Sequence, residues 1–80
     1  MNNELPKDKR NLAGPKLREL RKKNGYSAEV LSDLLLKQNF YLSARQIRFI
    51  ENGDRRITDF ELLAFLDFFD ITFKDIFGDI

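Results

Sequence analysis

Four arginines fall within the stretch SARQIRFIENGDRR, at Arg45, Arg48, Arg55 and Arg56. A guanidinium is a planar fork of N–H donors that suits phosphate oxygens and the O6/N7 edge of guanine alike. These residues therefore point to recognition of a polyanion. Catalytic chemistry lacks its usual tools. The chain contains no cysteine and no histidine, which removes thiolates, the commonest metal ligand and the commonest general base. Its carboxylates are scattered singly among basic residues, with no pair set in an apolar pocket. The expectation is a protein that is not an enzyme and uses no metal or cofactor.

The elements that must position these arginines read as five helices and no strand. Residues 1–13 are polar, carry Lys7, Lys9 and Arg10, and show no periodicity, so they read as a flexible arm ahead of one domain over 14–80. Gly14-Pro15 opens the first helix, since proline at the first helical position lacks only an N–H that would be orphaned anyway. It runs to about Asn24 with Leu17 and Leu20 inward, and Gly25 stops it. Ser27 caps a second helix, with Val30, Leu31, Leu34 and Leu35 on one face to about Lys37. The segment KQNFYL then breaks the pattern as a loop, with Phe40 or Leu42 tucked inward.

Ser43 and Gln46 form a capping box for a third helix that buries Ile47 and Ile50 and ends at Gly53. Thr58 and Glu61 form another, for a helix over about 59–69. Thr72 caps a short fifth helix with Phe73, Ile76 and Phe77. With Ile47 and Ile50 buried, the opposite side of helix three carries Arg45, Arg48, Phe49 and Asn52, at i, i+3, i+4 and i+7. Two arginines, an aromatic ring and an amide on a short exposed helix, followed by Arg55 and Arg56, fit a DNA major groove with the next loop on phosphates. On the wheel alone, a solvated basic face with Phe49 in the core fits equally well.

Charge separates the two parts of the chain. The net charge is only +1, yet residues 1–56 hold 13 Lys/Arg against 7 Asp/Glu, and residues 57–80 hold 1 against 6. Only the first part suits a polyanion. The hydrophobic fraction of 42% suits a single folded core. No apolar run reaches the ~18 residues of a membrane span, and the start MNNELPKDKR has no signal-peptide core, so the expected location is cytoplasmic.

From Asn11 onward, the ordered set NLAGPKLRELRKKNGYSAEVLSDLL, SARQIRFIENGDRR and ITDFELLAFLDFFDITFKDIF resembles the Cro and lambda-repressor type of helix-turn-helix family, often called XRE. It is most similar to a bacterial branch with an opening Gly-Pro, a lengthened turn between helices two and three, and an Arg-Arg-x-Thr-Asp-x-Glu-Leu-Leu run. The resemblance implies a DNA-binding transcriptional regulator, most simply a repressor. It implies that Ser27 approaches a phosphate, that Ala44, Arg45 and Phe49 read base edges with Arg48 beside them, and that Asn52 and Arg56 contact phosphates with Arg55 assisting. It also implies an ion pair, Arg21 with Glu51, tying helix one to helix three. The chain departs from the family at Ala28, where glutamine is usual, and at Phe49, where a polar or basic reader is usual. Phe49 either meets a thymine methyl or packs against helix two or the turn.

Helix four carries more apolar surface than one face needs. Leu62, Leu63, Phe65, Leu66 and Phe69 are expected on the core side, with Phe60, Ala64 and Phe68 as a second stripe. With Phe73, Ile76 and Phe77 of the last helix, Phe60 and Phe68 form an expected partner surface, most simply for a homodimer that sets two recognition helices one DNA turn apart. The alternative from another functional class is a protein-interaction module on the same fold, antitoxin-like or an adaptor subunit, whose DNA contact is weak or lost.

Overall fold

Hydroxyl side chains set most of the helix starts. Ser27, Ser43, Thr58 and Thr72 each accept a backbone N–H from the residue three positions on, satisfying a donor that a helix N-terminus leaves orphaned. At Ser43, Thr58 and Thr72 the box is closed by Gln46, Glu61 and Asp75, which reach back to the cap's own N–H. The computed structural model describes residues 11–78. Among them it is all-helical: α1 Gly14–Lys23, α2 Ala28–Lys37, α3 Ala44–Asn52, α4 Asp59–Phe69 and α5 Phe73–Phe77. None of these helices is long and apolar enough to cross a membrane.

The helix α3 packs across both α1 and α2. Its Ile47 and Ile50 are fully buried with Leu17 of α1, Ala28, Leu31 and Leu35 of α2, Leu42 of the connection, Phe65 of α4 and Ile76 of α5. Leu42 is therefore the residue tucked in from the α2–α3 connection, with Phe40 partly buried beside it. Ser32 fixes that connection by donating its hydroxyl to the Leu42 carbonyl at 2.6 Å. Gly53 ends α3 in the left-handed region, φ 78°, which costs glycine no Cβ clash.

Residues just before Gly14 also pack against the helices. Residues 1–10 of the expected arm lie outside the described residues, but Ala13 is buried in the core. The side chain of Asn11 clamps three backbone groups. Its amide donates to the carbonyls of Ile50 (3.1 Å) and Arg55 (2.7 Å), while its oxygen accepts the Gly14 N–H at 2.5 Å. Asn11 and Ala13, which fall in the expected arm, are thus tied to the helical part of the chain. Gly14 permits the close approach, since a Cβ there would sit 2.2 Å from the Ile50 carbonyl oxygen.

Several apolar residues fall on faces other than those expected. Val30 is exposed because Ala28, Leu31 and Leu35 define the buried stripe of α2, and Val30 lies about 100° away from Leu31. Leu63 is 61% exposed and joins Phe60, 76% exposed, as the outer stripe of α4. The expected partner surface divides accordingly. Ile76, 4% exposed, is a core residue. Phe68 and Phe77 are partly buried against the core, and Phe68 meets Tyr26 and Phe69 edge to face. Of the five residues expected there, Phe60 is largely exposed and Phe73 about half exposed, its ring packed on that of Phe77.

Candidate nucleic-acid interface

The outward side of α3 is built by what its inward side must do. Burying Ile47, Ile50 and Glu51 leaves Arg45, Arg48, Phe49 and Asn52 exposed together. Phe49 is 39% exposed and lies outside the hydrophobic cluster. Its ring instead carries the Arg45 guanidinium, whose carbon sits 5.2 Å from the ring centroid. A cation over an aromatic face at an exposed site gains about 0.5–1 kcal/mol, enough to bias the arginine toward one direction. Arg48 donates from Nη2 to Oε2 of Glu29 in the first turn of α2, with both side chains half exposed or more.

The flanking residues extend this face. Ser27 is exposed, and its Oγ accepts the Val30 N–H at 3.0 Å. A hydroxyl has one donor and two acceptor positions, so the cap leaves its O–H available to an incoming anion. Arg56 is exposed and has no ion pair among the described residues. Ala44 is half-buried against the core. Ala28 is buried, so the position where the family usually carries glutamine presents no side chain outward. Arg55 turns inward, gripping Glu61 through Nη1 (2.8 Å) and Nη2 (2.6 Å).

A helix-turn-helix family model matches residues 17–76, a span that includes α2, the connection and α3. The chain belongs to the helix-turn-helix family of the Cro and lambda-repressor type. Neither a comparison with curated proteins nor one with solved structures returns a match. Membership in this helix-turn-helix family makes the chain a DNA-binding domain.

Two buried carboxylates hold the helix-turn-helix in place. Glu51 takes the Arg21 guanidinium through two contacts, Nε to Oε2 at 2.6 Å and Nη2 to Oε1 at 2.8 Å, while Arg21 Nη1 donates to the Tyr26 carbonyl at 2.8 Å. This fixes α1 to the last turn of α3, and the Glu51 contact raises the pKa of Arg21. Glu61 serves twice, accepting the Thr58 N–H in its capping box and the Arg55 guanidinium. The pairs Arg55–Glu61 and Glu29–Arg48, with the Asn11 and Ser32 clamps, escaped the sequence reading. Only the Thr-x-x-Glu spacing signalled part of one of them, the capping role of Glu61.

The Arg55 guanidinium, helped by hydrogen bonds from Thr58, holds the Glu61 carboxyl below its ordinary value of 4.5. A depressed carboxylate stabilises the fold fully above its unfolded pKa, and that contribution disappears as pH falls through the folded value. Stability is therefore expected to drop as pH is lowered below about 5. In Glu61→Gln the drop should be shallower, with the two proteins converging in acid. Equal pH slopes in thermal melts would contradict the role given to this pair.

Proposed function

We propose that this domain is a sequence-specific transcriptional regulator, acting as a repressor by occupying an operator with α3 in the major groove. The observation that carries the reading is the composition of the outward face of α3, where Arg45, Arg48, Phe49 and Asn52 are exposed together while Ile47 and Ile50 are buried. Arg45 is the principal reader of a base edge, with Phe49 and Ala44 offering apolar contact to a thymine methyl. Ser27, Asn52 and Arg56 take phosphates. Arg55 acts through Glu61, fixing the loop that carries Arg56.

The protein works in the cytoplasm as a homodimer, which would set two copies of α3 on half-sites one DNA turn apart. Exposed Phe60, Leu63 and Phe73 supply apolar surface for that contact. The same exposure favours a second reading, in which this face docks another protein and the domain serves as an antitoxin-like or adaptor subunit.

Selection from a randomised duplex pool, followed by sequencing at two salt concentrations, tests these readings. A palindromic motif is expected. Affinity should fall on the order of tenfold between about 50 and 200 mM salt, as expected for the two phosphates that a dimer neutralises with its Arg56 side chains. Binding without an enriched motif would overturn sequence-specific regulation and leave the protein-docking reading.

A further inference from the structure

We propose that Glu29 is a specificity-determining residue of this interface, an internal anion that keeps Arg48 from indiscriminate phosphate binding while leaving it able to read a base. The proposal rests on the DNA-binding reading above. Its basis is the ion pair between Arg48 on the outward face of α3 and Glu29 in the first turn of α2. The two residues lie 19 positions apart in the chain. They meet because α2 and α3 pack together, and the pair sits on the face that also carries Arg45 and Asn52.

A guanidinium already paired with a carboxylate distinguishes between two kinds of acceptor. A phosphate brings a second full negative charge beside Glu29, and the two anions repel one another. The phosphate must either displace the carboxylate or bind against that repulsion. A guanine edge offers two acceptors with no net charge. Arg48 has five N–H donors and uses one group, Nη2, on Glu29. It can therefore serve O6 or N7 without leaving its partner. Both side chains are exposed, so the pair is weak and exchangeable, acting on selectivity and not on the fold. Arg48 and the backbone N–H of Glu29 lower the carboxyl's pKa, consistent with a carboxylate that stays charged at neutral pH.

The experiment compares Glu29→Gln with wild type on a random-sequence duplex and on the duplex recovered by selection. Asp33→Asn serves as the control, because Asp33 is an exposed acid on the same helix with no ion pair among the described residues. In Glu29→Gln, affinity for random duplex is expected to rise roughly three- to tenfold at low salt. The salt slope should steepen by about 0.9 for each phosphate that Arg48 gains. Affinity for the selected duplex should change less, so the specificity ratio falls. Asp33→Asn should change both duplexes slightly and equally. In an Arg48→Gln background the excess effect of Glu29→Gln should vanish. An unchanged ratio, an effect equal to that of Asp33→Asn, or an excess that persists without Arg48 would each overturn the proposal while leaving the DNA-binding reading intact. If neither wild type nor Glu29→Gln binds any duplex, both readings fall. Binding by Glu29→Gln alone would support the internal anion directly.

Discussion

Glu51→Ala is expected to lower the unfolding free energy by about 3–5 kcal/mol, the range for removing one partner of a buried ion pair. For a domain of this size that corresponds to a fall in Tm of more than about 12 °C. Glu51 is only 5% exposed, and the Arg21 side chain that grips it is nearly as enclosed. Without the carboxylate, the guanidinium keeps its contact to the Tyr26 carbonyl but is left charged and largely shut off from water. Glu51→Gln keeps the shape and part of the hydrogen bonding, so it should cost less than alanine. Replacing both partners with apolar residues, Arg21→Met with Glu51→Leu, should recover much of the loss, because the desolvation cost disappears along with the attraction. A wild-type melting curve for Glu51→Ala would show that the pair does not hold α1 to α3.

Arg45→Ala is expected to weaken the binding of each protomer to its half-site by roughly 5- to 150-fold, the ~1–3 kcal/mol of discrimination that one two-point arginine–guanine contact supplies. The melting temperature should fall by no more than a few degrees, since Arg45 is exposed, forms no ion pair among the described residues and loses only its stack on Phe49. Preference at one position of each half-site should relax, while weak binding to random duplex survives through the phosphate contacts. Arg45→Lys should restore charge without restoring preference, because an ammonium cannot present the planar fork. The stack on Phe49 makes that ring part of the same device. It holds the guanidinium over its face and so reduces the ordering cost of binding. Uniform loss of affinity across all sequences in Arg45→Ala would make Arg45 a phosphate contact and remove it as a reader.

The aromatic ring at position 49 shows how far the helical wheel reaches. Spacing from Ile47 and Ile50 is enough to place positions 45, 48, 49 and 52 on one side, and the structure exposes all four together. Spacing leaves open whether Phe49 bends back to the core. That depends on whether a neighbouring element offers an apolar cleft, and here the ring lies outside the core cluster beneath Arg45. Helix α4 shows the opposite difficulty. Its apolar residues surround most of the helix, so periodicity assigns no unique inner face. Packing puts Phe65 inside and leaves Phe60 and Leu63 in solvent.

By itself the sequence determined the helices, their order and the outward residues of α3. Each of these depends on contacts within a few residues: Ser43 with Gln46, Thr58 with Glu61, Ile47 with Ile50. Apart from Arg21 with Glu51, which the family resemblance implied, tertiary structure alone decided which cation meets which acid. The chain has 14 Lys/Arg and 13 Asp/Glu, and nearness in sequence does not select among so many possible pairs. Arg55 and Arg56 are adjacent and chemically identical, yet the first grips Glu61 and the second faces solvent. Burial of Glu61 beside the start of α4 makes the difference, since a carboxylate withdrawn from water must recruit the cation within reach of it.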